Sequence, residues 1–201
     1  MLSCLAMALS YYLTHPEVLL HPAQPPTEWV LSSLGRQRLM RCFARDIFTD
    51  VDLIVTSDEA KTTEMATHLA YKLDVPLLID PNSNENYRTT PVMSASAFEE
   101  LFAAMYAEPA KSSGGWEPAL DTQKRIVAAI DQQHRAHPDK SILFAGHGTS
   151  GTALKCHLAQ RPISREEDQR SMAAEGGGNV FAFDWAKQRL VSDWVALEDW
   201  T

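Results

Sequence analysis

Short apolar runs alternate with longer segments of helical periodicity along most of this chain. The apolar runs are bounded by turn residues or proline, and they predict β-strands at residues 10–14, 52–56, 75–79, 141–145, 180–184 and 190–195. The longer segments place apolar residues on one face and predict helices at residues 33–48, 58–73, 94–106, 121–136 and 150–159. This alternation favours an α/β fold, a three-layer α/β/α sandwich with a mainly parallel sheet.

Connections between these elements give no sign of a second domain. The last two predicted strands flank Lys187 and Gln188, a spacing typical of an antiparallel hairpin. Residues 81–91 are rich in turn formers, and residues 109–115 form a loop of proline, serine and glycine. Because neither an internal repeat nor a low-complexity segment divides the sequence, we predict one domain over residues 1–201.

The charge balance disfavours nucleic acid and membranes as partners. With 18 Lys and Arg against 26 Asp and Glu, the formal net charge of -8 repels nucleic acid and anionic lipid surfaces. The densest basic cluster is interleaved with apolar residues, as on the solvent side of an amphipathic helix, and comprises Arg36, Arg38, Arg41 and Arg45. No segment reaches the ~20 apolar residues that span a bilayer. We interpret residues 1–10 as a lead-in to the first strand rather than a signal peptide.

The cysteines and most histidines give no sign of a metal site. Cys4, Cys42 and Cys156 are scattered and have no metal-ligand spacing, so we expect a reduced, cytoplasmic protein without a disulfide or structural zinc. Five histidines lack any shared spacing for metal ligation: His21, His68, His134, His137 and His157. We therefore expect no metal.

Polar groups follow three of the predicted strands. Thr14 and His15 follow the first strand, Thr56 and Ser57 the second, and His147 stands between two glycines after the strand at residues 141–145. Ligands of open α/β sheets bind in the crevice beyond the carboxyl ends of the strands. If these strands are neighbours, the two histidines share one crevice.

Two histidines in one crevice suggest phosphoryl transfer. A neutral imidazole attacks phosphorus and divides the transfer into two easier steps. A second histidine binds an equatorial phosphate oxygen, and cations offset the remaining charge. A carboxyl group protonates the leaving oxygen and then activates water. His15, His147, Lys61 and a carboxylate supply these roles without a metal or other cofactor.

Five segments form an ordered series across nearly the whole chain. They are Leu13 to Glu17, Trp29 to Gly35, Thr56 to Thr62, Asn84 to Arg88, and Gly146 to Gly148. The series resembles the signature segments of the histidine phosphatase (phosphoglycerate-mutase-like) superfamily. Those segments are Leu-Val-Arg-His-Gly-Glu, Trp-x-Leu-Ser-x-x-Gly, Ser-Ser-x-x-x-Arg-Ala, the segment with the acid/base glutamate, and the second-histidine element.

The resemblance implies a phosphoglycerate-mutase-like fold and a role for each matching residue. His15 corresponds to the phosphorylated nucleophile and His147 to its partner in the phosphate pocket. Glu85 corresponds to the proton donor and base. Lys61 stands at the position of the second phosphate-binding arginine, and Pro16 replaces the glycine that follows the nucleophile.

The chain departs from the family pattern at its phosphate-binding cations. Thr14 stands where the first arginine belongs, and a hydroxyl or the mobile charge of Lys61 cannot replace a bidentate guanidinium. Losing a contact that tightens in the transition state costs about 3 kcal/mol, or about a hundredfold in rate. Arg88 and Arg36 are candidate replacements, and Arg88 is predicted to bind substrate. We interpret Arg125 as a charge on the outer side of a helix.

The sequence leaves three functions open. The leading hypothesis is a metal-independent phosphatase that acts on a small phosphorylated compound through a phosphohistidine at His15, with a mutase less favoured. The first alternative is a catalytically weakened or inactive relative that binds phosphate or another anion, and the second is a structural protein that keeps only the fold. Five aromatic residues either wall the pocket or cover the core, and the core is the favoured interpretation: Tyr87, Phe98, Phe102, Tyr106 and Trp116.

Overall fold

The computed structural model describes residues 8–21, 23–89 and 94–201. The expectations for residues 1–7, including Cys4, lie outside this part of the chain. Within it, seven strands form one mixed sheet. They are β1 (Ser10–Thr14), β2 (Leu53–Thr56), β3 (Leu77–Ile79), β4 (Ile142–Gly146), β5 (Asn179–Asp184), β6 (Arg189–Leu190) and β7 (Val195–Ala196).

The strand order places the three predicted site strands side by side. The sheet runs β3-β2-β4-β1-β5-β6, and β7 also pairs with β5. The first four strands in this order are mutually parallel, whereas β5 is antiparallel to β1. Thr14 pairs with Gly146, and Thr56 pairs with Ala145. The carboxyl ends of β1, β2 and β4 therefore meet at one end of the sheet.

The predicted strand at residues 190–195 is divided into two short strands. Both pair with β5 in antiparallel orientation. The amides of Val191 and Ser192 donate to the same carbonyl oxygen, that of Ala182, at 2.9 and 3.1 Å. Because two successive amides share one acceptor, the ladder is interrupted between β6 and β7.

Six α-helices surround the sheet in the described residues. They are α1 (Ser33–Phe43), α2 (Ala60–Leu73), α3 (Ala95–Ala107), α4 (Ala119–Ala136), α5 (Gly148–Ala159) and α6 (Gln169–Met172). α1 is shorter than predicted, because the chain turns after it and Phe48 has a φ of 60°, which an α-helix does not allow. α5 begins earlier than predicted, so that His147 is its N-cap.

Alternate residues of the strands bury against helices on opposite faces of the sheet. On one face, Tyr11 and Leu13 of β1 pack in a cluster with Leu39 of α1 and Met65 of α2. On the other face, Tyr12 packs in a cluster with residues of α4 and α5 that include Ile126, Ile130 and Leu154. The two clusters make a three-layer sandwich, as the sequence predicts. Both faces of β1 are therefore covered, and all of its residues are buried.

A third, smaller apolar cluster joins α3 to the start of α4. Phe102 and Tyr106 are buried in it beside Trp116, and Phe98 packs against its side. Tyr87 is 47% exposed and lies outside the core. The core interpretation of the aromatic residues is therefore confirmed for three of the five and is wrong for Tyr87. This cluster stands next to the loop that carries Glu85.

Candidate active site

His15 and His147 lie side by side at the carboxyl end of the parallel strands. His15 follows β1 and His147 follows β4, and their ring centroids are 5.3 Å apart with the ring planes inclined by 74°. Ser57, which follows β2, lies next to them. The structure thus brings the three predicted strand ends into one crevice.

The surroundings of His15 leave its Nε2 atom available as a nucleophile. Nδ1 lies 2.8 Å from the carbonyl oxygen of Pro16. A carbonyl oxygen only accepts, so Nδ1 carries the proton and Nε2 carries the lone pair of the neutral ring. Burial, with smaller contributions from His147 and Lys61, lowers the pKa of His15 to about 3. The ring is therefore neutral at physiological pH.

A turn of glycines holds the backbone of His15. The amide of Gly178 donates to the carbonyl oxygen of His15 at 3.1 Å. Gly177 has a φ of 74°, and a Cβ atom there would lie 2.2 Å from the same oxygen. Glycine is required at this position because both the backbone conformation and the close approach exclude a side chain.

A chain of hydrogen bonds fixes the orientation of His147. The Thr62 hydroxyl donates to the carbonyl oxygen of Glu59 at 2.9 Å, so it accepts from the Ser57 hydroxyl at 2.6 Å. Ser57 in turn accepts from Nε2 of His147 at 2.8 Å. The proton of the neutral ring is therefore on Nε2, and Nδ1 is buried with no partner among the described residues. Burial lowers the pKa of His147 to about 3.

The charge of Lys61 is already balanced by a buried carboxylate. The Lys61 ammonium donates to Oε2 of Glu59, and to the carbonyl oxygen of Pro26 at 2.9 Å. Glu59 is only 4% exposed, and its other oxygen accepts from the backbone amide of Glu85 at 2.9 Å. That oxygen also lies 3.5 Å from Nε2 of His147. The residue predicted to replace an arginine therefore brings no net charge to the site.

The hydroxyl of Thr14 is used within the protein. It donates to Oε1 of Gln169 at 2.7 Å and accepts from the backbone amide of Asn179 at 3.0 Å. Nε2 of Gln169 lies against Gly148, where a Cβ atom would meet it at 2.4 Å. Thr14, which stands where the family has its first arginine, thus lies next to the amide side chain of Gln169 from α6, beside the first turn of α5.

Glu85 binds the N-terminus of α5 through its carboxylate. The backbone amides of Thr149 and Ser150 donate to its two oxygens at 3.2 and 3.0 Å. Burial acts to raise the pKa of Glu85, but the His147 ring, the Arg88 guanidinium and the amide donors outweigh it and lower the pKa to about 2. Glu85 is therefore ionised in the free protein, and its carboxylate lies at the helix N-terminus that directly follows His147.

Arg125 holds the loop that carries Glu85, so its interpretation as an outer helix charge is wrong. Its guanidinium donates to the carbonyl oxygens of Asn82, Asn84 and Glu85, each at 2.9 Å. It also pairs with Glu117 at 2.7 Å, and both side chains are only 14% exposed. One guanidinium therefore ties three backbone carbonyl groups of the loop to α4.

The two candidate replacement arginines occupy different positions. Arg36 pairs with Glu64 and is an exposed residue of α1, so the structure does not bring it to the histidines. The guanidinium carbon of Arg88 lies 4.2 Å from the ring centroid of Trp116. Arg88 follows Glu85 by three residues on the same loop, and its charge lowers the pKa of both Glu85 and His147.

Sequence reasoning missed three residues of this site. Glu59 lies within the segment from Thr56 to Thr62 that resembles the family signature, and its position two residues before Lys61 was an available signal. Gln169 carried no signal, because it is 155 residues from Thr14 in the chain. Arg125 sits on an amphipathic helix, where sequence periodicity alone did not distinguish an inward from an outward charge.

Two further properties concern the described part of the chain as a whole. No three side chains of His, Cys, Asp or Glu are grouped there so as to hold a metal ion. No helix there is both long and apolar enough to cross a membrane.

The sequence matches one protein-family model. The model of the histidine phosphatase superfamily, branch 1, matches residues 17–192. This range contains Glu85 and His147 and begins two residues after His15. No curated protein sequence matches the chain significantly.

Solved structures of low sequence identity share the whole fold. Mycobacterial glucosyl-3-phosphoglycerate phosphatase is 17% identical, with a TM-score of 0.76 over 94% of this chain and 99% of that one. Its complex with inorganic phosphate is 16% identical, with a TM-score of 0.77 over 95% and 99%. The YhfR protein of Bacillus stearothermophilus is 19% identical, with a TM-score of 0.71 over 87% and 89%. The predicted phosphoglycerate-mutase-like fold is therefore confirmed.

Proposed function

Because the chain belongs to the histidine phosphatase superfamily, we propose that it is a metal-independent phosphatase that hydrolyses a small phosphomonoester through a phosphohistidine at His15. The observation that carries this proposal is the arrangement of His15 beside His147, with ring centroids 5.3 Å apart. Family membership supports a phosphatase-like function, and the neutral His15 ring supports nucleophilic catalysis.

In the first step, Nε2 of His15 attacks phosphorus and the bond to the ester oxygen breaks. Glu85 protonates the departing oxygen, which leaves as an alcohol. Since Glu85 is ionised in the free protein, it takes up this proton when the substrate binds, because a phosphate dianion beside it raises its pKa. In the second step, Glu85 removes a proton from water, water attacks phosphorus, and the bond to Nε2 breaks to release phosphate.

Substrate binding is assigned to the groups around the two histidines. Arg88 supplies positive charge to the phosphate, and Lys61 lies beside it as one half of the ion pair with Glu59. The unpartnered Nδ1 atom of His147 takes up a proton as the phosphate dianion binds, and it then donates a hydrogen bond to one phosphate oxygen. Thr14 acts through Gln169, whose amide it holds beside the first turn of α5 by a hydrogen bond of 2.7 Å. A neutral amide at this position gives weaker transition-state stabilisation than a guanidinium.

A second candidate function is a relative that binds an anion and turns over slowly or not at all. The buried pair of Glu59 and Lys61 favours it, since the cation at the arginine position is already neutralised. The hydrogen bonds that occupy the Thr14 hydroxyl favour it as well. A non-catalytic protein of this kind binds phosphate or vanadate but forms no phosphohistidine.

Hydrolysis of a generic aryl phosphate distinguishes these functions. We expect His15→Ala to abolish turnover and the trapping of an acid-labile phosphohistidine, while His157→Ala, an exposed histidine of α5, retains both. Equal rates in the wild type and His15→Ala would exclude the phosphatase proposal. Binding of vanadate without turnover or an adduct would support the anion-binding alternative.

A further inference from the structure

The hydroxyl of Tyr12 lies against the start of α5. Tyr12 is on β1, three residues before His15, and is only 1% exposed. Its oxygen accepts from the backbone amide of His147 at 3.1 Å and lies 3.0 Å from the Ser150 hydroxyl. The phenol proton has no other acceptor among the described residues, so Tyr12 donates it to Ser150. One side chain of the strand that leads to the nucleophile therefore contacts both the second histidine and the helix that follows it.

Close packing fixes the position of the Tyr12 hydroxyl. The ring stacks on Phe181, with the centroids 5.4 Å apart and the planes inclined by 9°, and it meets the ring of Trp194 edge-on at 6.4 Å. A Cβ atom at Gly146 would lie 2.2 Å from the hydroxyl oxygen, and one at Gly151 would lie 2.4 Å from Cε1. Both glycines are needed because the ring approaches their backbone so closely. The hydroxyl is therefore held in one place relative to β4 and α5.

The start of α5 depends on groups from outside the helix. The side chain of its N-cap residue, His147, makes no capping hydrogen bond. The amides of the next turn are usually satisfied by such a side chain. Here the amides of Thr149 and Ser150 donate to the carboxylate of Glu85 instead. Glu85 and the Tyr12 hydroxyl together therefore hold the first turn of α5 and the histidine that precedes it.

Glu85 changes its protonation during the proposed reaction, whereas Tyr12 does not. A protonated carboxyl group accepts hydrogen bonds less well than a carboxylate. The hold of Glu85 on α5 therefore weakens when it takes up the proton for the leaving group. Burial raises the pKa of Tyr12, so its phenol stays neutral at physiological pH. Of these two external groups, only Tyr12 keeps the same hydrogen bonds throughout the reaction.

We propose that Tyr12 is a positioning residue, whose hydroxyl holds His147 and the first turn of α5 in place relative to His15 during phosphoryl transfer. The inference rests on the proposed function and adds a residue that acts through His147 rather than on the phosphate. Because Tyr12 and His15 belong to one continuous segment of chain, a displacement of His147 from the Tyr12 hydroxyl also displaces it from the nucleophile. A shift of about 1 Å in the reacting groups costs about a hundredfold in rate.

Two neighbouring tyrosines provide a matched pair of variants. Tyr12→Phe removes one oxygen atom and keeps the ring. Tyr11→Phe does the same on the opposite face of the sheet, where the Tyr11 hydroxyl donates to Asp50 at 2.7 Å. Each variant loses a hydrogen-bonded hydroxyl, so both should lower Tm in thermal unfolding. With an aryl phosphate, we expect Tyr12→Phe to lower kcat about 10- to 100-fold and to leave KM within about twofold, whereas Tyr11→Phe changes neither. Equal kcat values in the two variants would overturn the proposal.

Binding of inert ligands separates this proposal from the proposed function. Vanadate adopts the five-coordinate geometry of the transition state, whereas phosphate keeps the geometry of the product. We expect Tyr12→Phe to bind vanadate about tenfold more weakly than the wild type and phosphate about equally, because positioning matters most in the transition state. If His15→Ala keeps full turnover while vanadate binding depends on Tyr12, the phosphohistidine mechanism fails and the positioning role stands. If turnover depends on His15 but neither kcat nor vanadate affinity depends on Tyr12, the positioning role alone is refuted.

A second variant tests the hydrogen bond from Tyr12 to Ser150. Ser150→Ala removes this acceptor and leaves the contact with the His147 amide, so we expect a smaller fall in kcat, about two- to fivefold. The double variant should be no slower than Tyr12→Phe, because both changes remove the same hydrogen bond. Losses that multiply in the double variant would contradict the proposal. Should Tyr12→Phe fail to fold, an unchanged kcat in Ser150→Ala would overturn the proposal by itself.

Discussion

Glu59→Gln tests whether the negative charge of Glu59 weakens the binding of phosphate at the site. The side chain of Glu59 is 4% exposed, pairs with Lys61 and lies 3.5 Å from Nε2 of His147. Glutamine keeps the shape and an oxygen that accepts from the backbone amide of Glu85. It removes the negative charge, so the Lys61 ammonium becomes available to an incoming phosphate.

The expected gain in affinity follows from the geometry. A phosphate oxygen bound beside His147 lies roughly 6 Å from Glu59, and two unit charges at that separation repel by about 3 kcal/mol at an effective dielectric constant of 20. Solvent and the nearby Lys61 screen part of this repulsion. We therefore expect inorganic phosphate and vanadate to bind about 10- to 100-fold more tightly to the variant. Breaking a buried pair costs about 3–5 kcal/mol, so the free variant is less stable.

Two assays measure these effects together. Calorimetry gives the Kd for phosphate, and thermal unfolding with increasing phosphate shows whether the ligand restores the stability lost in the variant. Glu64→Gln is the control, since Glu64 forms a comparable ion pair with Arg36 at the exposed surface of the molecule. A folded Glu59→Gln protein whose phosphate affinity equals that of the wild type would refute the reasoning.

Three further predictions concern stability and positioning. Burial lowers the pKa of His15 and His147 to about 3, so below pH ~6.5 the unfolded chain binds more protons. The free energy of unfolding should therefore fall toward pH 4, with a slope approaching about 2.7 kcal/mol per pH unit from these two residues in urea titrations; equal values at pH 7 and 5 would contradict this. Arg125→Gln should lower kcat more than it raises KM, because Glu85 loses its support; equal fractional changes in the two would argue against positioning. Gly177→Ala should destabilise by more than the ~1–2 kcal/mol expected of Gly176→Ala, where a Cβ atom meets only open space and a contact at 3.8 Å; equal costs in chemical denaturation would show that the contact with His15 is unimportant.

The element order and the strand ends were predictable because they depend on local properties. β1 is predicted to the residue, since its apolar run ends at His15 and Pro16, where a proline cannot continue the ladder. The polar groups that follow three of the strands predict a shared crevice, on the condition that those strands are parallel neighbours in the sheet. The end of α1 was not predictable in this way, because the turn after it includes a positive φ at Phe48, whose ring packs in the core with residues distant in the chain.

The sequence by itself determined the layered fold, the family resemblance and the pairing of His15 with His147. Only the tertiary structure decided what charge surrounds them. Residue type fixes that Lys61 is a cation, but its effective charge at the site depends on the carboxylate of Glu59. The hydroxyl of Thr14 is occupied by a hydrogen bond to Gln169, which is 155 residues away in the chain. Electrostatic interactions decrease with distance in space rather than in sequence, so the balance of charge at a site is set only when the chain has folded.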